Sequence, residues 1–216
     1  TKDERIWEQI VRNVLGLMNN LDLNAPPPYV GQLIHRRVRE LTGIPDPYLE
    51  AKQKSNRLVT DAFPDLEALV RQSPDPLFYA AALSICANAI DMAVVERLDE
   101  NAIRQALLTA VQSPCLVADE FTFRWAIPAS KEILFLADNC GEIIADLLLI
   151  DLIGPERVTL AVRGFPVLND VARSDIADIQ ISKSVTVIDN GSDAPGTILS
   201  DCSKEFQDRF HSADLI

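Results

Sequence analysis

The sequence predicts an α/β protein in which a helical N-terminal region packs on a parallel sheet with flanking helices. Only three of the eight glycines precede residue 140, so the first part of the chain has few turn signals. That part instead carries apolar stripes at helical spacing. After residue 132, short apolar runs alternate with helical stretches, which is typical of the strands and crossover helices of a parallel sheet.

Helical elements are predicted first. Apolar stripes indicate one helix over residues 6–18, with Asp3 available as its cap, and a second over residues 30–41 that is closed by Gly43. Asp46 and Pro47 predict the start of a third helix, with Asp46 as its N-cap. Further helices are predicted over residues 64–72, 76–100 and 102–112.

The second part of the chain predicts a Rossmann-like sheet, because strands and helices alternate as in parallel crossovers. The predicted strands are residues 133–137, 158–162 and 185–188. The predicted helices are residues 143–154, 170–179 and 197–210. We expect two domains, residues 1–127 and 128–216. Residues 213–216 resemble the start of a fourth strand, so we expect a C-terminal part of the sheet to be missing from this chain.

Composition excludes several classes of protein. The chain has 216 residues, of which 48% are apolar, so it can bury a sizeable core. Its net charge of −12 disfavours binding of nucleic acid or an anionic membrane by charge alone. No apolar run reaches membrane length and no signal region begins the chain, so we expect a cytoplasmic protein. The sequence leaves the oligomeric state open.

The cysteines and histidines narrow the choice of metal ligands. None of the four cysteines belongs to a C-x-x-C pair, and we expect all four to be reduced thiols. The two histidines, His35 and His211, are far apart in the sequence. A metal site in this chain would therefore need oxygen ligands.

Polar residues follow each predicted strand, where open parallel sheets form their sites. Residues 138–142 follow the first strand, Arg163, Asn169 and Asp170 follow the second, and residues 189–193 follow the third. Taken one at a time, these segments also fit helix caps and turns. Their position at successive strand ends of one sheet favours a functional site.

Asp138, Asn139 and Asp170 offer three hard oxygen ligands, which suit Mg²⁺ or Mn²⁺. The backbone amides at Gly141 open a helix and favour phosphate, and Arg163 can add a guanidinium fork. Glu142 either orients water or only favours the helix dipole. This arrangement is typical of metal-assisted phosphoester hydrolysis.

Other nucleotide and hydrolase motifs are absent from the sequence. No G-x-G-x-x-G follows the first strand, and no Walker lysine motif is present. The chain has no G-x-S-x-G elbow, and no second aspartate stands two residues after Asp138. The sequence therefore lacks the marks of dinucleotide-binding proteins, P-loop enzymes, serine hydrolases and aspartyl-phosphate phosphatases.

Five segments carry a family resemblance. They are L-A-D-N-C-G-E-I from Leu136, A-V-R-G-F-P-V-L-N-D from Ala161, V-I-D-N-G from Val187, D-P-Y-x-x-x-K-x-x-x-N from Asp46 and N-A-I-D from Asn88. Together they resemble the family once called domain of unknown function 89, now described as metal-dependent damage-control phosphatases. The resemblance covers nearly the whole chain.

The resemblance implies that Asp138, Asn139 and Asp170 bind Mn²⁺, Co²⁺, Ni²⁺ or Mg²⁺. It implies substrates among phosphorylated sugars, nucleotides or damaged phosphometabolites. Asn88 and Asp91 lie one helical turn apart and, by resemblance, border the cleft, where they either contact substrate or hold the two domains together. The predicted substrate-binding and phosphate-binding set is Gly141, Glu142, Arg163, Asn169, Asn88 and Asp91.

Two departures from the family pattern are visible. Ala87 stands where the family has glycine, and the family's Lys-Gly-x-Gly-Asn loop, whose lysine neutralises substrate phosphate, lies outside these 216 residues. We expect a divalent-metal-dependent phosphatase acting on a small phosphorylated metabolite. The alternatives are a carboxyl methyltransferase that uses S-adenosylmethionine, a label carried by eukaryotic relatives, and a non-catalytic metal- or metabolite-binding protein.

Overall fold

The computed structural model describes residues 4–88, 100–112 and 120–216 and has the expected α/β architecture. Asp3, Asp91 and Cys115 lie outside the described residues. Within these ranges six helices precede the sheet. They are α1 (Glu4–Asn19), α2 (Pro27–Thr42), α3 (Leu49–Gln72), α4 (Pro76–Asn88), α5 (Glu100–Gln112) and α6 (Glu120–Ala129).

The sheet has three parallel strands in the order β1-β2-β3. They are β1 (Ile133–Leu136), β2 (Val158–Val162) and β3 (Thr186–Asp189). All three predicted strands are present, and none of their ends differs from the prediction by more than one residue. Helix α7 (Glu142–Ile153) joins β1 to β2, and α8 (Lys204–Ser212) follows β3. Leu215 forms a parallel bridge with Ile133, so the residues predicted to begin a fourth strand lie beside β1.

Helix α7 lies at the centre of the core. Its sequence is apolar on nearly every side, and a helix of that kind must be buried all round. It packs against α3 and α4, and its residues Ile143 and Leu148 share one apolar cluster with Leu66 of α3, Leu83 of α4 and Leu160 of β2. One core therefore runs through both of the regions that the sequence predicts as domains.

The opposite face of the sheet is also covered. Leu134, Ala161 and Ile188, one from each strand, form a second apolar cluster with Cys202 and with Phe206 of α8. Successive strand residues point to opposite faces, so Leu134 faces this cluster while its neighbour Ile133 faces the main core. Burial on both faces is typical of parallel sheets and leaves the carboxyl ends of the strands as the place for a site.

The third helix differs from its prediction at two places. It begins at Leu49, because the Asp46 carboxylate accepts the Tyr48 N–H at 2.9 Å in a turn ahead of the helix. It also continues through Pro64 to Gln72, where the sequence predicted a separate helix beginning at residue 64. Burial of Val59, Leu66 and Val70 on either side of the proline outweighs the hydrogen bond that Pro64 cannot donate.

Two other predicted helices need correction, and a third lies partly outside the described residues. The helix predicted over residues 170–179 is only a 3-10 turn at Asp175–Asp178. The helix predicted over residues 197–210 is a 3-10 turn, Leu199–Asp201, followed by α8, whose cap Ser203 accepts the Phe206 N–H. Helix α6 was not predicted. Of the helix predicted over residues 76–100, residues 89–99 lie outside the described residues.

Among the described residues, no helix combines the length and the apolar character needed to cross a membrane.

Candidate metal and phosphate site

The three predicted metal ligands come together at the carboxyl ends of β1 and β2. Asp138 and Asn139 directly follow β1, and Asp170 lies in the loop after β2. Asn139 and Asp170 form an isolated antiparallel bridge, and the Val171 N–H donates to the Asp138 carbonyl at 2.7 Å. Backbone hydrogen bonds therefore fix the two ligand-bearing loops against each other.

The loop after β2 turns back on itself to bring Asp170 to this place. Arg163 and Ala172 form a parallel bridge, and the Asn169 carbonyl accepts the Cys140 N–H at 2.8 Å. Leu168 has a φ of 46°, in the left-handed region that residues with side chains seldom adopt. Asn169, predicted to bind phosphate, thus contributes its backbone to the joining of the two loops.

Asn139 is oriented by its side-chain nitrogen. Its Nδ2 donates to Asp138 Oδ2 at 2.9 Å, to Glu142 Oε2 at 3.1 Å and to Asn88 Oδ1 at 3.3 Å. Its Oδ1 has no hydrogen-bond donor among the described residues and is the atom that suits a metal ion. The predicted site residue Asn88 therefore touches the site from the end of α4.

Arg163 lies between the two ligand carboxylates. Its Nε donates to Asp170 Oδ2 at 2.7 Å, its Nη1 donates to the Gly196 carbonyl at 3.0 Å, and its Nη2 lies 3.9 Å from Asp138 Oδ1. Arg163 and Asp170 are both buried, whereas the Asp138 side chain is 47% exposed. Burial raises the pKa of Asp170 to about 6, although the neighbouring Arg163 opposes the shift.

Two further carboxyl groups extend from the site into the core. Burial raises the pKa of Glu142 to about 7, and the charge of Asp138 acts in the same direction. Burial also raises the pKa of Asp146 to about 8, with a contribution from Glu142, while the Ser84 hydroxyl donates to Asp146 at 2.5 Å. Such crowding of acidic groups favours a cation beside them.

Gly141 is held by α3. Its φ of 90° suits glycine, and a Cβ added there would lie 3.2 Å from the Ser55 Cβ. The Gly141 N–H, which was predicted to hold phosphate, donates at 2.6 Å to the Asn56 side-chain oxygen. The N-terminus of α7 is therefore fixed in place by the helical region.

The donor set fits a hard divalent cation. Within residues 4–88, 100–112 and 120–216, no three His, Cys, Asp or Glu side chains converge on one point. A site here therefore depends on the amide oxygen of Asn139 as its third donor beside Asp138 and Asp170. Two carboxylates and one amide oxygen, with water in the remaining positions, match the preferences of Mg²⁺ and Mn²⁺.

Sequence reasoning did not assign roles to the residues that hold these loops from α3. Lys52 is only 1% exposed and forms ion pairs with Asp46 at 3.0 Å and Asp175 at 2.5 Å. Four residues further along α3, Asn56 holds Gly141. The only advance signal was the D-P-Y-x-x-x-K-x-x-x-N segment, in which Lys52 and Asn56 are spaced to share one helix face.

A second ion-pair cluster joins α2 to the loop after β3. Asp193 accepts two hydrogen bonds from Arg36 Nε, at 3.0 and 2.9 Å, one from Arg36 Nη2 at 2.6 Å, and one from Gln32 at 2.8 Å. It also pairs with Arg39. Arg36 therefore links the helical region to the sheet. A cavity of about 620 Å³ lies beside this cluster, with Phe165 in its wall.

The chain combines an α/β fold with three oxygen-bearing side chains, Asp138, Asn139 and Asp170, at the carboxyl edge of its sheet. The family described as the damage-control phosphatase ARMT1-like domain matches residues 1–216. The chain therefore belongs to this family.

Similar proteins agree with that assignment. A damage-control phosphatase from Archaeoglobus fulgidus is 31% identical over 221 residues, covering 100% of this chain and 76% of the relative. A damage-control phosphatase from Pyrococcus horikoshii is 27% identical over 199 residues, covering 89% of this chain and 67% of the relative. A crystal structure of a DUF89 family protein from P. horikoshii has a TM-score of 0.86 at 25% identity, covering 100% of this chain and 75% of the other.

Proposed function

We propose that this chain is a divalent-metal-dependent phosphatase that hydrolyses a small phosphorylated metabolite. The observation that carries the proposal is the position of Asp138, Asn139 and Asp170 in two loops that are bonded to each other through their backbones. The names of the similar proteins support phosphatase activity. Mn²⁺, Co²⁺, Ni²⁺ and Mg²⁺ are the candidate cations.

Each residue of the site has a distinct task in this proposal. When bound, the divalent cation supplies Lewis-acid polarisation of the phosphoryl group. The half-exposed Asp138 provides one ligand, and the amide oxygen of Asn139, whose amide nitrogen donates to Asp138, provides another. Arg163 holds Asp170 in a single orientation through Nε and remains a candidate phosphate ligand through Nη2.

Glu142 is the candidate for proton transfer in the proposed reaction. In the metal-free protein, burial raises the pKa of Glu142 to about 7, so a large fraction of its carboxyl groups hold a proton at neutral pH. Its Oε2 accepts hydrogen bonds from the backbone N–H and the side-chain Nδ2 of Asn139, so the carboxyl group is held beside a proposed metal ligand. A carboxyl group beside the proposed metal ligands suits proton transfer to a leaving group or from water.

The substrate and location follow from charge and composition. A net charge of −12 disfavours nucleic acid and anionic membranes as substrates, which supports a small metabolite. We place the reaction in the cytoplasm, where thiols such as those of Cys86, Cys140 and Cys202 stay reduced.

Hydrolysis of p-nitrophenyl phosphate tests this function. Protein stripped with chelator is assayed with Mn²⁺, Co²⁺, Ni²⁺ or Mg²⁺ added singly, beside Asp138→Ala and Asp170→Ala. Asp151→Ala is the matched control, because Asp151 is an exposed carboxylate near the far end of α7. We expect metal-dependent turnover in the wild type and the control and none in the two site variants. Turnover that survives in both site variants would exclude the proposed site.

A further inference from the structure

Lys52 is a buried cation that joins three segments of the chain. Its ammonium group lies 3.0 Å from Asp46 Oδ2, before α3, and 2.5 Å from Asp175 Oδ2, after the Asp170 loop. Asp175 Oδ2 also accepts the Ala172 N–H at 2.8 Å. The carboxylate of Asp175 therefore connects a helical-region cation directly to the backbone two residues after Asp170.

The same face of α3 also reaches the other ligand loop. Lys52 and Asn56 are four residues apart and share one face of the helix. Asn56 accepts the Gly141 N–H, two residues after Asn139, at 2.6 Å. One face of α3 thus holds both ligand loops, one directly and one through Asp175. In each loop the backbone N–H that is held lies two residues after a proposed metal ligand.

We propose that Lys52, acting through Asp175, is a positioning residue that sets the affinity of the site for its divalent cation. The inference rests on the proposed function. Loss of the Lys52–Asp175 pair removes the cation that holds the Asp175 carboxylate against the Ala172 N–H. Ala172 is the bridge partner of Arg163, which in turn holds Asp170. Lys52 touches neither substrate nor the reacting atoms in this account.

A buried ion pair is by itself weak evidence of a stabilising role, because desolvation of both charges offsets their attraction. The location of this pair behind the ligand loops is what indicates a positioning role. The Asp193 cluster offers a matched comparison, because it is another buried carboxylate that joins the helical region to the sheet. Asp193 lies in the loop after β3, and this loop carries none of the proposed metal ligands.

The test compares Asp175→Asn with Asp193→Asn. Each change removes one buried negative charge and keeps a side-chain oxygen that can accept a hydrogen bond. The Mn²⁺ dissociation constant is measured by calorimetry for both variants. Amide hydrogen exchange is measured on the metal-free proteins over residues 138–142 and 168–174. Lys52→Gln provides a second break of the same pair should Asp175→Asn fail to fold.

We expect Asp175→Asn to raise the Mn²⁺ dissociation constant by roughly 10- to 100-fold, as for other partners that orient metal ligands. We also expect faster exchange in both ligand loops, with neither effect in Asp193→Asn. Equal dissociation constants and equal exchange in the two variants would overturn the inference and leave the pair structural. Absence of Mn²⁺ binding by the wild type would instead overturn the proposed function, while the exchange comparison still decides whether the pair orders the loops.

Discussion

Asn139 and Asp170 form an antiparallel bridge although they follow different strands of the sheet. The bridge fixes the position of one proposed ligand relative to another through the backbone rather than through side-chain packing. Mg²⁺ depends on such placement, because it demands near-ideal octahedral geometry. Backbone hydrogen bonds of the protein itself thus fix where these two residues lie.

Replacement of Asp170 by asparagine tests the role of its charge. Asp170→Asn keeps the shape but removes the negative charge beside the buried Arg163. We expect a loss of Mn²⁺ affinity and of metal-dependent hydrolysis greater than the roughly 10- to 100-fold typical of residues that only support a ligand. Asp189→Asn at the end of β3 is the control, and a loss of equal size there would contradict a specific role for Asp170.

Gly141→Ala tests the contact between α3 and the first ligand loop. Residue 141 has a φ of 90°, which alanine disfavours, and the new methyl group would lie 3.2 Å from the Ser55 Cβ. We therefore expect the free energy of unfolding to fall by about 1–2 kcal/mol. Gly16→Ala in α1 meets nothing within 4 Å, so we expect it to stabilise the protein by roughly 0.5–1 kcal/mol. Thermal unfolding measures both, and a neutral Gly141→Ala would refute the contact.

Arg163→Lys separates two tasks of the guanidinium group. Lysine keeps the charge but cannot donate from Nε to Asp170 and from Nη1 to the Gly196 carbonyl at once. If Arg163 chiefly orients Asp170, as its burial indicates, the Mn²⁺ dissociation constant rises and KM for p-nitrophenyl phosphate at saturating metal changes little. A rise in KM with unchanged Mn²⁺ affinity would instead identify Arg163 as a phosphate ligand.

Asp146→Asn tests how much the ionisation of the buried Asp146 carboxyl group lowers the stability of the fold. The folded-state pKa of about 8 lies above the unfolded value of about 3.9, so the unfolded chain ionises first as pH rises. The stability present below the unfolded pKa is therefore lost progressively up to the folded pKa. In metal-free protein, we expect the Tm of Asp146→Asn to exceed that of wild type by a margin that grows between pH 5 and pH 8.

The size of that margin follows from the scale of thermal unfolding. Each kcal/mol gained should raise Tm by about 2–4 °C for a chain of this length. Asp151→Asn, which removes an exposed carboxylate from the same helix, is the control variant. A constant margin for Asp146→Asn across the pH range would contradict the raised pKa.

Local sequence signals predicted the sheet and the place of the three candidate metal ligands at its carboxyl edge. The apolar runs that form β1 and β2, and the polar residues directly after them, are contiguous in the sequence. The helix predicted over residues 170–179 was wrong for a physical reason. The Val171 carbonyl accepts the Arg163 N–H at 2.8 Å and the Arg173 N–H donates to the Arg163 carbonyl at 3.0 Å, so the backbone of this segment bonds to the chain after β2 instead of forming a helical turn.

Long-range pairs could not be predicted in the same way. Lys52 and Asp175, like Arg36 and Asp193, are brought together only by the packing of helices on the sheet. The left-handed backbone of Leu168 also has no local signal, because leucine does not favour it. The sequence therefore predicted which residues line the site but not which residues hold them in position.

The most direct test of the central claim is anomalous X-ray diffraction from crystals of the protein grown with Mn²⁺. The account predicts a single strong manganese peak within bonding distance of the Asp138 carboxylate, the Asn139 Oδ1 and the Asp170 carboxylate. A manganese peak elsewhere in the molecule, with these three side chains unligated, would contradict it.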